Sequence, residues 1–403
     1  MTLPADGRDP AGPYSTCDFL RGIYQAVRPA YEAHTVQRMA LMSAARRAAR
    51  LHPMQEGLQQ AGTAPSVRAA GSASVDPALT SPERHAAAVQ SADAHGKVIL
   101  LGEHAVVYGA PAVALAVPGA ACRAEARLRT QPGPGLVSFR LHSDDGPQPL
   151  AEGAAAPALH TLVDSVLRRA GGQQARGVEL TVFSGIPPGC GMGSSAACAR
   201  ACAVALARLL GLRLRPQDVF ELVQEAEQVS HGRASGIDAH ATGSPGLLVL
   251  RDGVPSIVEA GRQAWLVVAD SGTASSTRQA VEMLGAAFTR NPVRRRSFLA
   301  RSRRLTADGL DALTSGRPRQ LGRALTGTHT LLMEQGLVNG PVRSLVDVAL
   351  AAGALGAKMT GGGLGGCALA LAGTPAQADL LAHRLRGHGA RRTWTVPLVQ
   401  GGG

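Results

Sequence analysis

The chain has 403 residues, 45% of them hydrophobic and 3% aromatic, and a formal net charge of +12. That length allows two or three domains and a sizeable core, built here from Leu, Val and Ala. The charge invites a nucleic-acid partner, but no interleaved aromatics or groove-reading motif accompany it, so nucleic acid is set aside. The six cysteines (Cys17, Cys122, Cys190, Cys198, Cys202 and Cys367) show no C-x-x-C pair and no zinc spacing, which excludes a disulfide scaffold and fits free, mostly buried thiols in a reducing cytosol.

Residues 1–93 mix Gly, Pro, Ser and Ala with charges of both signs and read as a low-complexity, poorly ordered extension. Only His34–Leu51 has a helical pattern. The segment is either a linker or an over-extended reading frame, with translation starting at Met39, Met42 or Met54, and no charged-then-apolar leader stands in it. Order is expected from about Ala94, with "KVILL" as a short apolar strand. Ala105–Cys122 carries no charge for 18 residues, the length of a membrane span, but Gly109, Pro111, Pro118 and Gly119 predict a buried strand-turn-strand instead. "GVELTVFSGIPPG" is a strand running into a loop, and Ser194–Leu210 a helix of small residues ending at Gly211. A second helix follows Pro216, with Val219, Leu222, Val223, Ala226 and Val229 on one face. "GLLVL" and "AWLVVAD" are strands, the arginine-rich stretch between Arg290 and Arg323 is a solvated helix face, and "GPVRSLVDVALAAGALG" is a helix. "GCALAL" and "TWTVPLV" close the chain as strands. Helices and strands mix without strict alternation, which predicts an α+β fold. A boundary near residue 255 would divide the ordered part into 94–255 and 256–403.

Ile186–Leu206, "IPPGCGMGSSAACARACAVAL", places three alternating glycines before a small-residue helix. Neither a Walker loop nor a dinucleotide fingerprint fits, because no lysine follows and Ser194 stands where a third glycine would. The physics of those loops still applies: glycines admit close backbone approach, and a helix N-terminus favours an anion. The alternative is a tight turn with a serine cap. Lys97 and Lys358 are the only lysines in the chain, and both lie in glycine-bearing segments.

Three stretches, "GKVILLGEHAVVYG", the glycine loop, and "AKMTGGGLGGCAL", occur in an order that resembles the GHMP kinase superfamily over roughly Ala94–Val399. "HGRASGIDA" and "DSGTASSTRQAV" are most similar to the mevalonate kinase branch of that superfamily. The resemblance implies a two-domain fold with the active site in the cleft between the domains, ATP and Mg²⁺ as cofactors, and mevalonate as the small-molecule substrate, phosphorylated on its 5-hydroxyl. It implies a cytoplasmic enzyme with no membrane and no nucleic acid, and leaves a homodimer open. By the same resemblance Pro188, Gly189, Cys190, Gly191, Met192, Gly193, Ser194 and Ser195 cradle the nucleotide phosphates. Ser195 and Glu227 hold the metal. Asp238, in a loop, is the base that takes the hydroxyl proton, and Lys97 is the cation missing from the glycine loop. Glu103 and His104 line the substrate pocket or order its wall, and Thr277 lies near substrate or phosphate. Gly361, Gly362, Gly363, Gly365 and Gly366 back the site, with Lys358 structural, and His231 is structural rather than catalytic. Departures from the pattern are His95 and Ala234, where the branch has proline, and Leu364 among the third set of glycines. Another GHMP kinase, acting on phosphomevalonate or a sugar, and a non-catalytic ligand-binding member remain as alternatives.

Overall fold

A computed structural model describes residues 89–129, 137–143, 146–148, 155–171, 177–232 and 234–399. The extension up to residue 88, with the His34–Leu51 stretch, lies outside the described residues. Strand β1 (Gln90–Leu101) begins ahead of the expected Ala94, because the alternation continues upstream: Ala92 and Ala94 are buried and Asp93 between them is exposed.

The uncharged run Ala105–Cys122 is not strand-turn-strand. Ala105–Tyr108 is a 3-10 turn, and β2 (Ala112–Leu128) is one long strand. Pro118 and Gly119 sit in a bulge, where pairing with β1 jumps from Gly96↔Val117 to His95↔Ala121. A proline there breaks no ladder hydrogen bond. No helix among the described residues is long and apolar enough to cross a membrane.

β2 organises a seven-stranded sheet. One edge pairs with β1 along its length. The other pairs with β6 (Leu247–Arg251) at its start and β5 (Val178–Ser184) at its end, all antiparallel. β3 (Val137–Ser143), parallel to β5, then β4 (Gly146–Gln148) extend one side, and β7 (Val254–Ile257) the other. Helix α2 (Ser194–Leu209) packs on β1 and β2 and against both α1 (Ala155–Arg169) and α3 (Pro216–His231), which also pack on each other. It buries Ala196, Ala197, Ala199, Ala201, Ala203, Ala205 and Ala207. Small side chains on nearly every face let the helix approach the sheet and both neighbours closely. α3 keeps its predicted apolar face except at Val229, which is exposed. α4 (Ile237–Ala241) is a short helix against β2 and α2.

The second sheet is four-stranded and antiparallel, in the order β11 (Arg392–Pro397), β8 (Trp265–Asp270), β10 (Cys367–Ala372), β9 (Gly356–Thr360). Every residue of β9 and β10 is buried; the run Cys367–Ala372 is apolar throughout, whereas β9 buries Lys358 and Thr360 with its small and apolar residues. α8 (Gly340–Ala351) and α9 (Pro375–Gly387) cover this sheet, and α7 (Pro318–Glu334) packs on β9. α5 (Thr277–Arg290) leads into α6 (Pro292–Thr314), which pairs with α7 and presents Arg294, Arg295, Arg296, Arg303 and Arg304 to solvent. The fold is α+β, with two sheets among the described residues.

β1 and β9 meet. The Thr360 hydroxyl accepts from Ile99 N and donates to Ile99 O, both at 2.9 Å. Beside it the fully buried Lys358 ammonium pairs with the Glu103 carboxylate and donates to Ile99 O at 3.1 Å.

Candidate active site

A cleft of about 510 Å³ lies where these elements converge. Its wall includes Lys97, Gly191, Ser195, Glu227, Asp238 and Gly362, drawn from five separate segments. The glycine loop enters it between β5 and α2. Gly189, Gly191 and Gly193 have φ of 70°, 80° and 70°, a region that favours glycine. Two of them are also needed for packing. A Cβ on Gly193 would lie 2.8 Å from Lys97 Cε, and one on Gly191 would lie 3.1 Å from Thr360 O. Conversely, a Cβ on Gly361 would lie 2.7 Å from Gly191 O, so the two glycine loops stack backbone on backbone.

Gly193 occupies the N-cap of α2 and no side chain caps it. The serine-cap alternative therefore does not hold. The first N–H groups of the helix have no side-chain partner, and Ser195 turns elsewhere: its hydroxyl donates to Glu227 Oε1 at 2.6 Å. Of the loop residues, Pro188, Gly189, Gly191, Gly193, Ser194 and Ser195 line the cleft. Cys190 and Met192 do not; both side chains are buried in the core, which limits them to a backbone role.

Lys97 arrives from β1. Its N–H donates to Met192 O at 2.9 Å, and its ammonium donates to Gly191 O at 3.3 Å. Lys97 Nζ stands 3.1 Å from Asp238 Oδ2. The lysine side chain is 3% exposed and the aspartate 29%, so the pair opens to the cleft from the carboxylate side. Asp238 is not in a loop, as the sequence reading had it, but at the second position of α4. Arg200, on α2, donates to Ala239 O at 2.7 Å and thereby ties α4 to α2 next to Asp238.

Glu227 is buried on α3. Burial, then the nearby Asp238 charge, push its carboxyl up to about 7, against the Ser195 hydrogen bond and Lys97. His231 follows one turn later, with Nε2 3.6 Å from Glu227 Oε2 and 3.4 Å from Ser195 Oγ, and burial lowers its pKa. His231 thus stands against both Ser195 and Glu227, a placement that fits a structural histidine bracing the pair. Its i, i+4 spacing from Glu227 carried that signal. Arg200 carries no such signal in the sequence: α2 holds a second arginine, Arg208, and spacing along the chain does not set the two apart. Arg278 lines the cleft and donates to Ser230 O at 2.7 Å, tying α5 to the end of α3.

On the opposite wall His104 has φ 58° and donates from Nε2 to Gly362 O at 3.0 Å. Burial lowers its pKa to about 4, so the ring is neutral at pH 7. Such a backbone costs about 1–3 kcal/mol and persists where surroundings hold it. Glu103 does not line the cleft. It orders the wall from behind through Lys358, and its second oxygen, Oε2, has no hydrogen-bond partner. Thr277 begins α5 and sits against Gly362, where any Cβ would collide with it. Gly361 and Gly362 line the cleft, while Gly363, Gly365 and Gly366 pack behind it against Leu337, Ala274 and Cys190.

The family model described as GHMP kinases N terminal domain matches residues 158–245, and that described as GHMP kinases C terminal matches residues 310–391. A mevalonate kinase from Aeropyrum pernix is 35% identical over 297 residues, covering 70% of this chain and 87% of that protein. The chain belongs to the GHMP kinase family. A second GHMP relative, a mevalonate kinase from Thermococcus onnurineus, is 33% identical over 303 residues, covering 70% of this chain and 88% of that protein. The crystal structure of L. major mevalonate kinase in complex with R-mevalonate superposes with a TM-score of 0.64 at 27% identity, covering 77% of this chain and 95% of that one. As a GHMP kinase the chain is an ATP-dependent enzyme that phosphorylates a hydroxyl.

Proposed function

We propose that the enzyme is a mevalonate kinase that transfers the γ-phosphoryl group of ATP to the 5-hydroxyl of mevalonate, in the mevalonate route to isoprenoids. The observation that carries this reading is the Lys97–Asp238 pair at 3.1 Å in the same cleft as the Ser195–Glu227 pair, in a chain whose relatives are mevalonate kinases.

Phosphoryl transfer is largely positioning and charge neutralisation. The glycine loop and the uncapped start of α2 receive the phosphates through backbone N–H groups. Asp238 orients the acceptor hydroxyl and takes its proton as the new bond forms. Lys97, held by Gly191 O on one side and Asp238 on the other, offsets the charge developing on the transferred group and the attacking oxygen. The metal site fits the residues present. Ser195 Oγ and Glu227 Oε1 are hard oxygens 2.6 Å apart at the cleft wall, and the carboxylate is buried with no ammonium or guanidinium of the described residues bonded to it. Mg²⁺ held there would neutralise triphosphate charge, with water and phosphate oxygens completing its shell. His104, Thr277 and the wall ordered by Glu103 hold the acceptor. In this reading an ATP-binding domain, 94–255, is followed by a C-terminal domain, 256–403, and the enzyme works in the cytoplasm. That boundary cuts β7, whose Pro255 and Ser256 both pair with β6, so the whole of β7 goes with the first domain.

A coupled ADP-release assay over mevalonate, phosphomevalonate, galactose and homoserine tests the reading. Turnover is expected on mevalonate; its absence there, with turnover on another acceptor, overturns the substrate and keeps the family.

A further inference from the structure

Two thiols meet at the edge of the cleft. Cys122 lies on β2, fully buried, and its S–H donates to Cys198 Sγ on α2 at 3.4 Å. Cys198 is partly exposed and lines the cleft, one helical turn beyond Ser194. The topology explains the meeting: Cys122 pairs with Ser184 at the end of β5, and α2 packs against both β2 and β5. A second thiol pair, Cys190 and Cys367, also shares a hydrogen bond, but both are buried and neither lines the cleft. Only the first pair combines a reachable sulfur with a resolving partner.

We propose that Cys122 and Cys198 form an oxidisable dithiol in the nucleotide cleft, a modification site for hydroperoxides that closes to a disulfide and that bound nucleotide shields. The Cys198 sulfur attacks one peroxide oxygen. The O–O bond breaks, the other oxygen leaves as water or alcohol, and Cys198 becomes a sulfenic acid. The Cys122 sulfur then displaces that hydroxyl, which departs as water with the Cys122 proton, and the S–S bond forms. The peroxide accepts two electrons and each sulfur gives one. Several features favour Cys198 as the attacking sulfur. The hydrogen bond from Cys122 lowers its pKa first, and the Ser194 and Ser184 hydroxyls add to that against the cost of burial. Closing the bond draws the sulfurs from 3.4 Å to about 2.05 Å, which pulls the first turns of α2 toward β2. Ser194 and Ser195 stand on that turn, so closure disturbs the phosphate cradle.

The test treats the full-length protein with hydrogen peroxide, with and without a non-hydrolysable ATP analogue, followed by intact mass and peptide mapping. The wild type should lose about 2 Da and yield a Cys122–Cys198 cross-linked peptide, while Cys122→Ser should instead gain about 16 Da on Cys198. The analogue should slow both changes severalfold. Kinase activity should fall roughly tenfold with the cross-link and return on dithiothreitol. This last arm rests on the proposed activity; the cross-link and its protection do not. A map without the Cys122–Cys198 peptide, or one whose yield is indifferent to the analogue, overturns the proposal even where Cys122→Ser fails to fold, because the wild type alone supplies both readouts.

Discussion

Asp238 and Glu227 are two carboxylates in one cleft with different neighbours, and the proposed mechanism gives them different work. Asp238 faces an ammonium and is partly open; Glu227 is buried against a hydroxyl and a neutral histidine. Asp238→Asn keeps the shape and removes the proton acceptor, so kcat should fall by about 10²–10⁴ while ATP binding, measured by calorimetry, stays within a few-fold. Normal turnover would remove Asp238 from the chemistry. Glu227 gives a pH signature. Its folded pKa, about 7, lies above the usual carboxylate value, so the folded protein holds this proton more tightly than the unfolded chain. The sign follows: its contribution is fully present at acid pH and is lost as pH rises toward 7, a cost of order a few kcal/mol for the metal-free protein. A cation replaces that proton, so Mg²⁺ affinity should climb from pH 6 to 8, with proton release, and Glu227→Gln should flatten the slope. Equal slopes in both proteins would place the metal elsewhere. Matched motifs made these carboxylates legible in the sequence. Arg200 was not, because its role depends on α2 passing within 2.7 Å of the Ala239 carbonyl, a proximity that spacing along the chain does not encode.

At the scale of elements, the helices with clear apolar faces and the short apolar strands were readable, and the failures share a cause. The run Ala105–Cys122 has the prolines of a turn, yet its Pro118 lies in a bulge that only the β1 partner defines. α4 is too short for a period to show, so Asp238 read as loop. The start of α2 shows how local and tertiary demands meet. Gly193 combines a left-handed φ with contact to the Lys97 stem. Gly193→Ala should therefore cost more than about 1 kcal/mol in stability and also displace Lys97, lowering kcat more than it raises the ATP KM. Gly211→Ala, at φ 67° with open space around its Cβ position, supplies the control: comparable backbone strain, no lysine to move, and kcat preserved. Equal losses of kcat in the two variants would reduce Gly193 to a turn residue.

At the scale of the molecule, one apolar core runs between the two sheets, and a set of buried polar bonds joins β1 to β9 beside it. Lys358 on β9 reaches Glu103 and Ile99 O just after β1, and Thr360 bonds the Ile99 backbone twice. Both charges are fully buried, burial opposes ionisation of each, and each is the main support of the other's charge. Removing one partner strands the other, whereas removing both charges relieves the desolvation they share. Lys358→Met should thus cost about 3–5 kcal/mol, a melting midpoint lower by on the order of 10 °C. Adding Glu103→Gln should recover at least half of that loss. Recovery need not extend to catalysis. Glu103 precedes His104, whose strained backbone and bond to Gly362 shape the acceptor side of the cleft, so the double variant should melt near the wild type while its KM for the acceptor stays raised. A double variant as unstable as the single one would mean that packing, rather than charge, makes Lys358 necessary where β1 meets β9.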